Sequence, residues 1–458
     1  MQLHTVLLMS GGWVQALQLL AALSLLILLH EFGHFFFARL FGTRVEKFYL
    51  FFDFLFPFSG LLNFSLFKKT VGDTTYGLGW FPLGGYVKIA GMVDESMDKE
   101  ALARPPEPWE YRSKKPYQRL FIMLGGIIMN VIVAMIIYAI IFGVWGEKYL
   151  PVQNAKYGIM ADSTAKSIGL QNGDYILEVG GAPAKKFNKI VPDIIFNEAN
   201  AIKVLRNGQI VTVPVPAGTV KSIIKAQKGT FIQPRTPTVV EAVAKGSAAE
   251  KMGLKPNDSV IAVNGQPTPY YDQLEDIKLA SAGKPIAFTV VRNNQVVELN
   301  GTVPQDKLLG FGRKLPETFF AYDKTEYNFG SAIGRGFTYT WEQFGNYWQQ
   351  LKFLFTSKEV KASESVGGIV SFGKLFPEEF TWFAFLQLTA FISIILAFMN
   401  LLPIPGLDGG YVIFLLWEII TRRKVNEKVM EYATTVGLVL LLGLMLYANG
   451  LDVVRLFK

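Results

Sequence analysis

The chain has no cysteine, and its 458 residues include only three histidines, His4, His30 and His34. The first absence rules out disulfides and thiolate metal ligands. The second means that an imidazole-based metal site would have almost no choice of residues. Charge is also sparse where apolar residues cluster: from Trp13 to Leu29 no residue is ionisable. The net charge of +8 forms no continuous basic stripe, which argues against nucleic acid as a partner. The basic residues fall partly in loops beside apolar segments, as expected next to anionic lipid.

Half the residues are apolar and the mean hydropathy is +0.28, so membrane segments come before any fold assignment. Four stretches reach the roughly 20 apolar residues needed to cross a bilayer, at about 13–40, 118–145, 381–402 and 430–448. The first lacks the basic n-region and small-residue cleavage site of a signal peptide. Arg39, Arg44, Lys47, Lys68, Lys69, Arg112, Lys114, Lys115 and Arg119 lie between the first two spans. Arg422, Arg423, Lys424 and Lys428 lie between the last two. The positive-inside rule therefore puts both loops in the cytoplasm, and both termini and residues 146–380 on the other side.

The long section between the second and third spans repeats itself. "STAKSIGLQNGDYILEVGGAP" (163–183) aligns without gaps with "SAAEKMGLKPNDSVIAVNGQP" (247–267), 84 residues later, and "LRNGQIV" (205–211) matches "VRNNQVV" (291–297). Each copy reads as a short helix, a turn, an apolar strand, a Gly-Pro turn, a second helix and a closing hairpin. The pattern resembles circularly permuted bacterial PDZ domains. That resemblance implies a groove where an extended peptide adds as a strand; the plainer reading is a pair of spacer domains. Beyond the repeat, Phe337, Trp341, Phe344, Trp348, Leu351 and Phe355 fall on one helical face, suited to a membrane interface or to packing on a PDZ domain.

The chemistry begins at "HEFGH", His30 to His34. Helical residues four apart share a face, about 5–6 Å apart at Cβ, so both imidazoles can reach one zinc ion. Glu31 adjoins the first and can take a proton from water that zinc acidifies. The five-residue pattern is loose by itself, and a buried histidine is usually a satisfied core residue. In hydrocarbon surroundings, however, two histidines and a glutamate cost several kcal/mol without partners. A hydrolytic zinc site takes a third protein ligand and keeps an open position. His4 lies roughly 39 Å from His30 along a helix at 1.5 Å per residue, which leaves a carboxylate. "NLLPIPGLDGGYVIFLLW" (400–417) carries Asp408 between apolar flanks, with prolines and glycines that bend the chain. The alternative role for Asp408 is a helix N-cap.

HExxH in the first span, NxxPxPxxDGG in the third and PDZ-like repeats between them resemble the site-2 intramembrane metalloproteases, of the bacterial regulator-of-sigma-E type. "WFPLGGYVKIAGMVDE" (80–95) is similar to that family's membrane-associated β-hairpin, and "SKKPYQRLFIMLGGIIMN" (113–130) to its second-span start. The resemblance implies zinc held by His30, His34 and Asp408, with Glu31 as catalytic base. It further implies Asn400 on the substrate backbone, and Gly84, Gly85 and Tyr86 in a hairpin that clamps an unwound substrate. Three departures stand out: Tyr411 replaces a common His, Gly125-Gly126 replaces Gly-Pro ahead of Asn130, and "KFYLFFDFLFPFSGLLNFSLF" (47–67) is unusually aromatic.

The expected architecture is a polytopic α-helical membrane protein with four transmembrane helices, a membrane-associated β-hairpin region and two extramembrane α+β PDZ domains. In order these are a first transmembrane helix with HExxH (1–41), a cytoplasmic, membrane-associated β region and loop (42–117), and a second transmembrane helix (118–146). PDZ domains follow at 150–230 and 231–306, then an amphipathic linker region (307–379), a third transmembrane helix with the LDG motif (380–418) and a fourth (428–450). The expected activity is intramembrane zinc-dependent cleavage of single-span helices, namely membrane-tethered anti-sigma factors or remnant signal peptides, in the bacterial inner membrane. The PDZ domains would gate access or bind extramembrane peptide segments. The competing readings are a PDZ scaffold with a vestigial zinc site and an HtpX-like protease acting in the cytosol. An intact Glu31 disfavours the first, and the absence of a suitable glutamate on a soluble helix disfavours the second. A transporter is disfavoured by only four spans without a repeat.

Overall fold

The computed structural model describes residues 2–55, 61–82, 84–92, 105–225, 231–357 and 367–456, without the side chains of 2–10, 427 and 456. Residues 56–60 of the aromatic stretch, and 83 and 93–95 of the expected hairpin motif, thus lie outside the described residues, as does the side chain of His4. The chain divides into two compact units.

The first unit, residues 1–146, 326–352 and 362–458, contains the long helices. These are α1 (Gln2–Leu40), α2 (Pro116–Trp145), α3 (Phe329–Thr356, whose residues from 353 on belong to the second unit), α4 (Trp382–Leu401), α5 (Asp408–Thr421) and α6 (Glu427–Leu456). Among the described residues, α1, α2, α4 and α6 carry windows long and apolar enough to cross a membrane: Gly11–Leu40, Pro116–Trp145, Trp382–Leu401 and Lys428–Arg455. Pro116 occupies the first turn of α2, where its missing N–H costs nothing. Gly146 ends the helix at φ 72°, its N–H bonded to the Phe142 carbonyl.

α2 is the central helix and packs against α1, α4 and α5. Its crossing with α1 is a backbone contact: a Cβ on Gly33 would lie 2.1 Å from the Gly125 carbonyl oxygen, and one on Gly125 2.4 Å from that of Gly33. Small residues bring membrane helices this close without a hydrophobic driving force between them. α3 also packs on α2: Tyr339 meets the rings of Tyr138 and Phe142, Gly336 faces the backbone of Met135 and Ala139, and Ala332 lies over Gly143. The aromatic stripe expected on α3 is largely its outer face, with Phe337, Trp341, Trp348 and Phe355 more than half exposed.

Between α1 and α2 lies a four-stranded sheet: β1 (Val45–Leu50), β2 (Ser65–Val71), β3 (Thr74–Gly79) and β4 (Tyr86–Ile89), in the order β2-β3-β1-β4. β1 and β3 are parallel and the other pairs antiparallel. Among the described residues the 80–95 motif contributes one strand, β4, which pairs with the distant β1 at a sheet edge. Alternation sends Phe48 and Tyr76 toward Phe35 of α1, with ring centroids 5.4 and 6.2 Å from it. Lys47, Tyr49, Tyr86 and Lys88 face the opposite way.

The second unit, residues 147–325 and 353–361, holds the repeat. In the first copy the helices Ser163–Ser167 and Ile190–Phe196 accompany strands Tyr175–Val179, Ala201–Arg206 and Gln209–Pro214. In the second, helices Ala248–Met252 and Tyr271–Ala280 accompany Ser259–Val263, Pro285–Arg292 and Gln295–Thr302. Both first helices carry a side-chain cap, Asp162 accepting from the Ala165 N–H and Ser247 from the Glu250 N–H. Both copies bury a bidentate ion pair at the same aligned place. Arg206 binds Asp174 at 2.7 and 2.8 Å and donates to the Gly169 carbonyl. Arg292 binds Asp258 at 2.6 and 2.7 Å and donates to the Gly253 carbonyl. Phe311–Arg313, within the stretch expected as linker, is the edge strand of the second copy's sheet; Leu309 and Phe311 pack into that copy's core.

Candidate metal centre and active site

Three segments distant in sequence meet in the first unit. α1 carries His30 and His34 on one face, with ring centroids 4.9 Å apart and nearly perpendicular planes. Asp408 arrives from the break between α4 and α5. Leu402 ends α4 just before Pro403 and Pro405, and Leu407 is the N-cap of α5. Asp408 is therefore the first residue of α5 and not its cap, so its carboxylate points elsewhere. The glycines beside it permit the tight return: a Cβ on Gly409 would lie 2.2 Å from the Leu402 carbonyl oxygen, and one on Gly410 2.7 Å from that of Ile404.

The three ligand atoms form a nearly equilateral triangle. His30 Nε2 lies 3.3 Å from His34 Nε2 and 3.3 Å from Asp408 Oδ2, and His34 Nε2 lies 3.4 Å from Asp408 Oδ2. A tetrahedral zinc ion with bonds of about 2.0–2.1 Å separates its ligands by roughly 3.3–3.4 Å. Asp408 Oδ2 is also a buried acceptor without a hydrogen-bond donor. The residues thus fit a zinc ion in both spacing and unmet valence, and among the described residues they form the one such group.

One face of α2 completes the surroundings through Ile122, Gly126 and Asn130, spaced four apart. His34 Nδ1 lies 2.8 Å from the Ile122 carbonyl, to which only an Nδ1–H can donate, and this leaves the Nε2 lone pair toward the triangle. Gly126 makes room for both rings: a Cβ there would sit 2.4 Å from His30 Cε1 and 2.6 Å from His34 Nε2. The side-chain amide nitrogen Nδ2 of Asn130 lies 3.2 Å from His30 Nδ1. In the sequence, Gly125-Gly126 stands out only as a departure from Gly-Pro. Ile122 acts through its backbone and leaves no residue-type signal.

The triangle opens on a cavity of about 710 Å³ that is also lined by Glu31, Lys47, Tyr49, Gly85, Tyr86, Asn400 and Glu431. The structure therefore brings Glu31, Asn400, Gly85 and Tyr86 to the same space as the three ligand candidates. Gly84 packs against the Phe52 ring instead. Tyr86 stacks on Tyr49 at 5.2 Å, and its hydroxyl donates to Asp53 Oδ1 at 2.9 Å. A pair of imidazoles, a carboxylate, a neighbouring carboxylate and an open cavity with polar groups in its lining suit metal-assisted hydrolysis.

Comparison with known proteins points the same way. The sequence model of peptidase family M50 matches residues 18–444. A Neisseria meningitidis protein named as a zinc metalloprotease is 30% identical over 453 residues, 95% of this chain and 98% of the relative. The Yersinia pestis protease RseP is 28% identical, covering 93% of this chain and 96% of its own length. The Salmonella typhimurium regulator of sigma-E protease RseP is 29% identical, with the same coverage.

Proposed function

The chain belongs to peptidase family M50, the site-2 proteases, as a membrane-bound bacterial zinc metalloprotease, and from that premise we propose that it cleaves single-span transmembrane helices within the inner membrane. His30, His34 and Asp408 hold the zinc, and the observation that carries this is their 3.3–3.4 Å triangle beside Glu31. When bound, the ion supplies Lewis-acid chemistry, acidifying water and polarising a carbonyl.

The rest of the work falls to this chain's own groups. Glu31 takes a proton from the attacking water on its carboxylate and returns it to the leaving amide nitrogen. A helical substrate hides its amides and must unwind to be cut, and its freed backbone groups then need partners away from bulk water. The edge strand β4, which begins at Tyr86, offers backbone to pair with, and Gly84 and Gly85 lead into it. Asn400, at the end of α4, offers an amide that both donates and accepts. Lys47, Tyr49, Tyr86 and Lys88 on the sheet wall keep the cavity polar enough to admit water.

The substrates of this reading are membrane-tethered anti-sigma factors already trimmed outside, or remnant signal peptides. The two repeat copies act as PDZ domains on the periplasmic side, gating access or binding extramembrane peptide segments, and both termini lie on that side. The test is Glu31→Gln, assayed for bound zinc and for cleavage of a helical single-span reporter in detergent. Full zinc with cleavage down at least 100-fold is expected; unchanged cleavage would sink the mechanism.

A further inference from the structure

The two candidate histidine ligands are not supported alike. His34 has a backbone acceptor, the Ile122 carbonyl, which fixes its proton on Nδ1. The group facing His30 Nδ1 is the side chain of Asn130, which is fully buried two turns along the same face of α2. The backbone of Asn130 is held in turn: Ser393 of α4, also fully buried, donates its hydroxyl to the Asn130 carbonyl at 2.8 Å. The amide thus sits on an anchored section of helix.

An amide's oxygen and nitrogen have nearly the same shape, so either can face the imidazole without moving another atom. With Nδ2 toward His30, the ring nitrogen must accept, its proton moves to Nε2, and that nitrogen is lost as a ligand. This orientation also leaves Asn130 Oδ1 buried without a donor. With Oδ1 toward His30, the Nδ1–H donates to it and the Nε2 lone pair faces His34 Nε2 and Asp408 Oδ2. Each orientation leaves one amide atom unmatched on the far side, so hydrogen-bond number does not choose between them. The requirement that His30 ligate through Nε2 does.

We infer that Asn130 is a positioning residue for His30, its amide oxygen accepting the Nδ1–H and fixing the tautomer and ring plane in which Nε2 faces the metal. The inference rests on the zinc-ligand reading above. Outer partners of this kind are worth about 10–100-fold in metal affinity. Asn130→Leu removes the acceptor at similar volume, whereas Asn130→Asp keeps one.

The experiment measures zinc affinity of the full-length protein by chelator competition, for wild type, Asn130→Leu, Asn130→Asp and His34→Ala. It also records the ¹⁵N resonances of His30 in zinc-free wild type. The expected results are a 10–100-fold loss for Asn130→Leu, near wild-type affinity for Asn130→Asp, and an Nδ1–H tautomer for His30. Wild-type affinity in Asn130→Leu, with zinc lost in His34→Ala, overturns the role of Asn130 and leaves the ligand set standing. Wild-type affinity in His34→Ala instead overturns the ligand set. If Asn130→Leu does not fold, the wild-type resonances decide: an Nε2–H tautomer at His30 overturns the inference.

Discussion

Gly126→Ala adds one methyl group where the two candidate imidazole ligands converge. The new Cβ would lie 2.4 Å from His30 Cε1 and 2.6 Å from His34 Nε2. Non-bonded carbons rest at about 3.5–4.0 Å, so the rings and the helix must part by roughly 1 Å. A triangle with 3.3–3.4 Å edges cannot absorb that and keep all three zinc bonds. Misplacement by 1 Å costs about 100-fold in rate, and we expect kcat/KM on a single-span reporter to fall by at least that factor, with weakened zinc retention. The helix itself should not suffer, because alanine exceeds glycine in helix propensity by up to about 1 kcal/mol. Gly143→Ala on the same helix is the control: its Cβ would meet Ala332 at an ordinary 3.5 Å, and activity should stay within about twofold. Full zinc and wild-type cleavage in Gly126→Ala would refute the packing argument.

Two further outcomes follow from ion pairs outside the metal site. Arg119 of α2 binds Glu418 of α5 at 2.6 Å, and both are largely buried. Glu418→Gln leaves the guanidinium without its counter-charge and should destabilise the helical unit by about 3–5 kcal/mol, read as a lowered Tm in detergent, whereas a paired Arg119→Met, Glu418→Leu variant should recover most of it. In the second repeat copy, burial opposes ionisation of Asp258, but the Arg292 guanidinium and the Lys255 N–H outweigh it and hold the carboxyl below the usual aspartate range. A depressed pKa contributes stability above the unfolded value of about 3.9 and loses it as pH falls through the folded value. Hydrogen-exchange protection of residues 259–302 should therefore drop below about pH 4, and Asp258→Asn should flatten that dependence; equal slopes would contradict the assignment.

Much of the site was legible because its chemistry needs rare residue types. Two of only three histidines sit four apart just after an uncharged run, Trp13 to Leu29, and Asp408 is a carboxylate between apolar flanks. The repeat was legible because its Gly-Leu, Asp, Val, Gly and Pro positions recur at a fixed offset. The pairing of β1 with β3 and β4 was not, since non-local register leaves no local pattern. The support behind the histidines was hidden for two other reasons. The Ile122 carbonyl is backbone, common to every residue. Gly126 matters for what it lacks, and its role appears only once α1 lies against α2. The aromatic stripe on α3 is largely its exposed face, and the face packed on α2 is the one bearing Ala332, Gly336 and Tyr339, whose small residues carry little hydropathy signal.

The central claim is that two histidines from α1 and one carboxylate from the start of α5 hold a single catalytic zinc. X-ray absorption at the zinc edge of the purified full-length protein tests it directly, with Asp408→Ala measured beside wild type. The account predicts one zinc per chain, two imidazoles with oxygen donors at about 2.0–2.1 Å, and loss of the ion in Asp408→Ala. A third imidazole in the wild type, or an unchanged zinc spectrum in the variant, would contradict it.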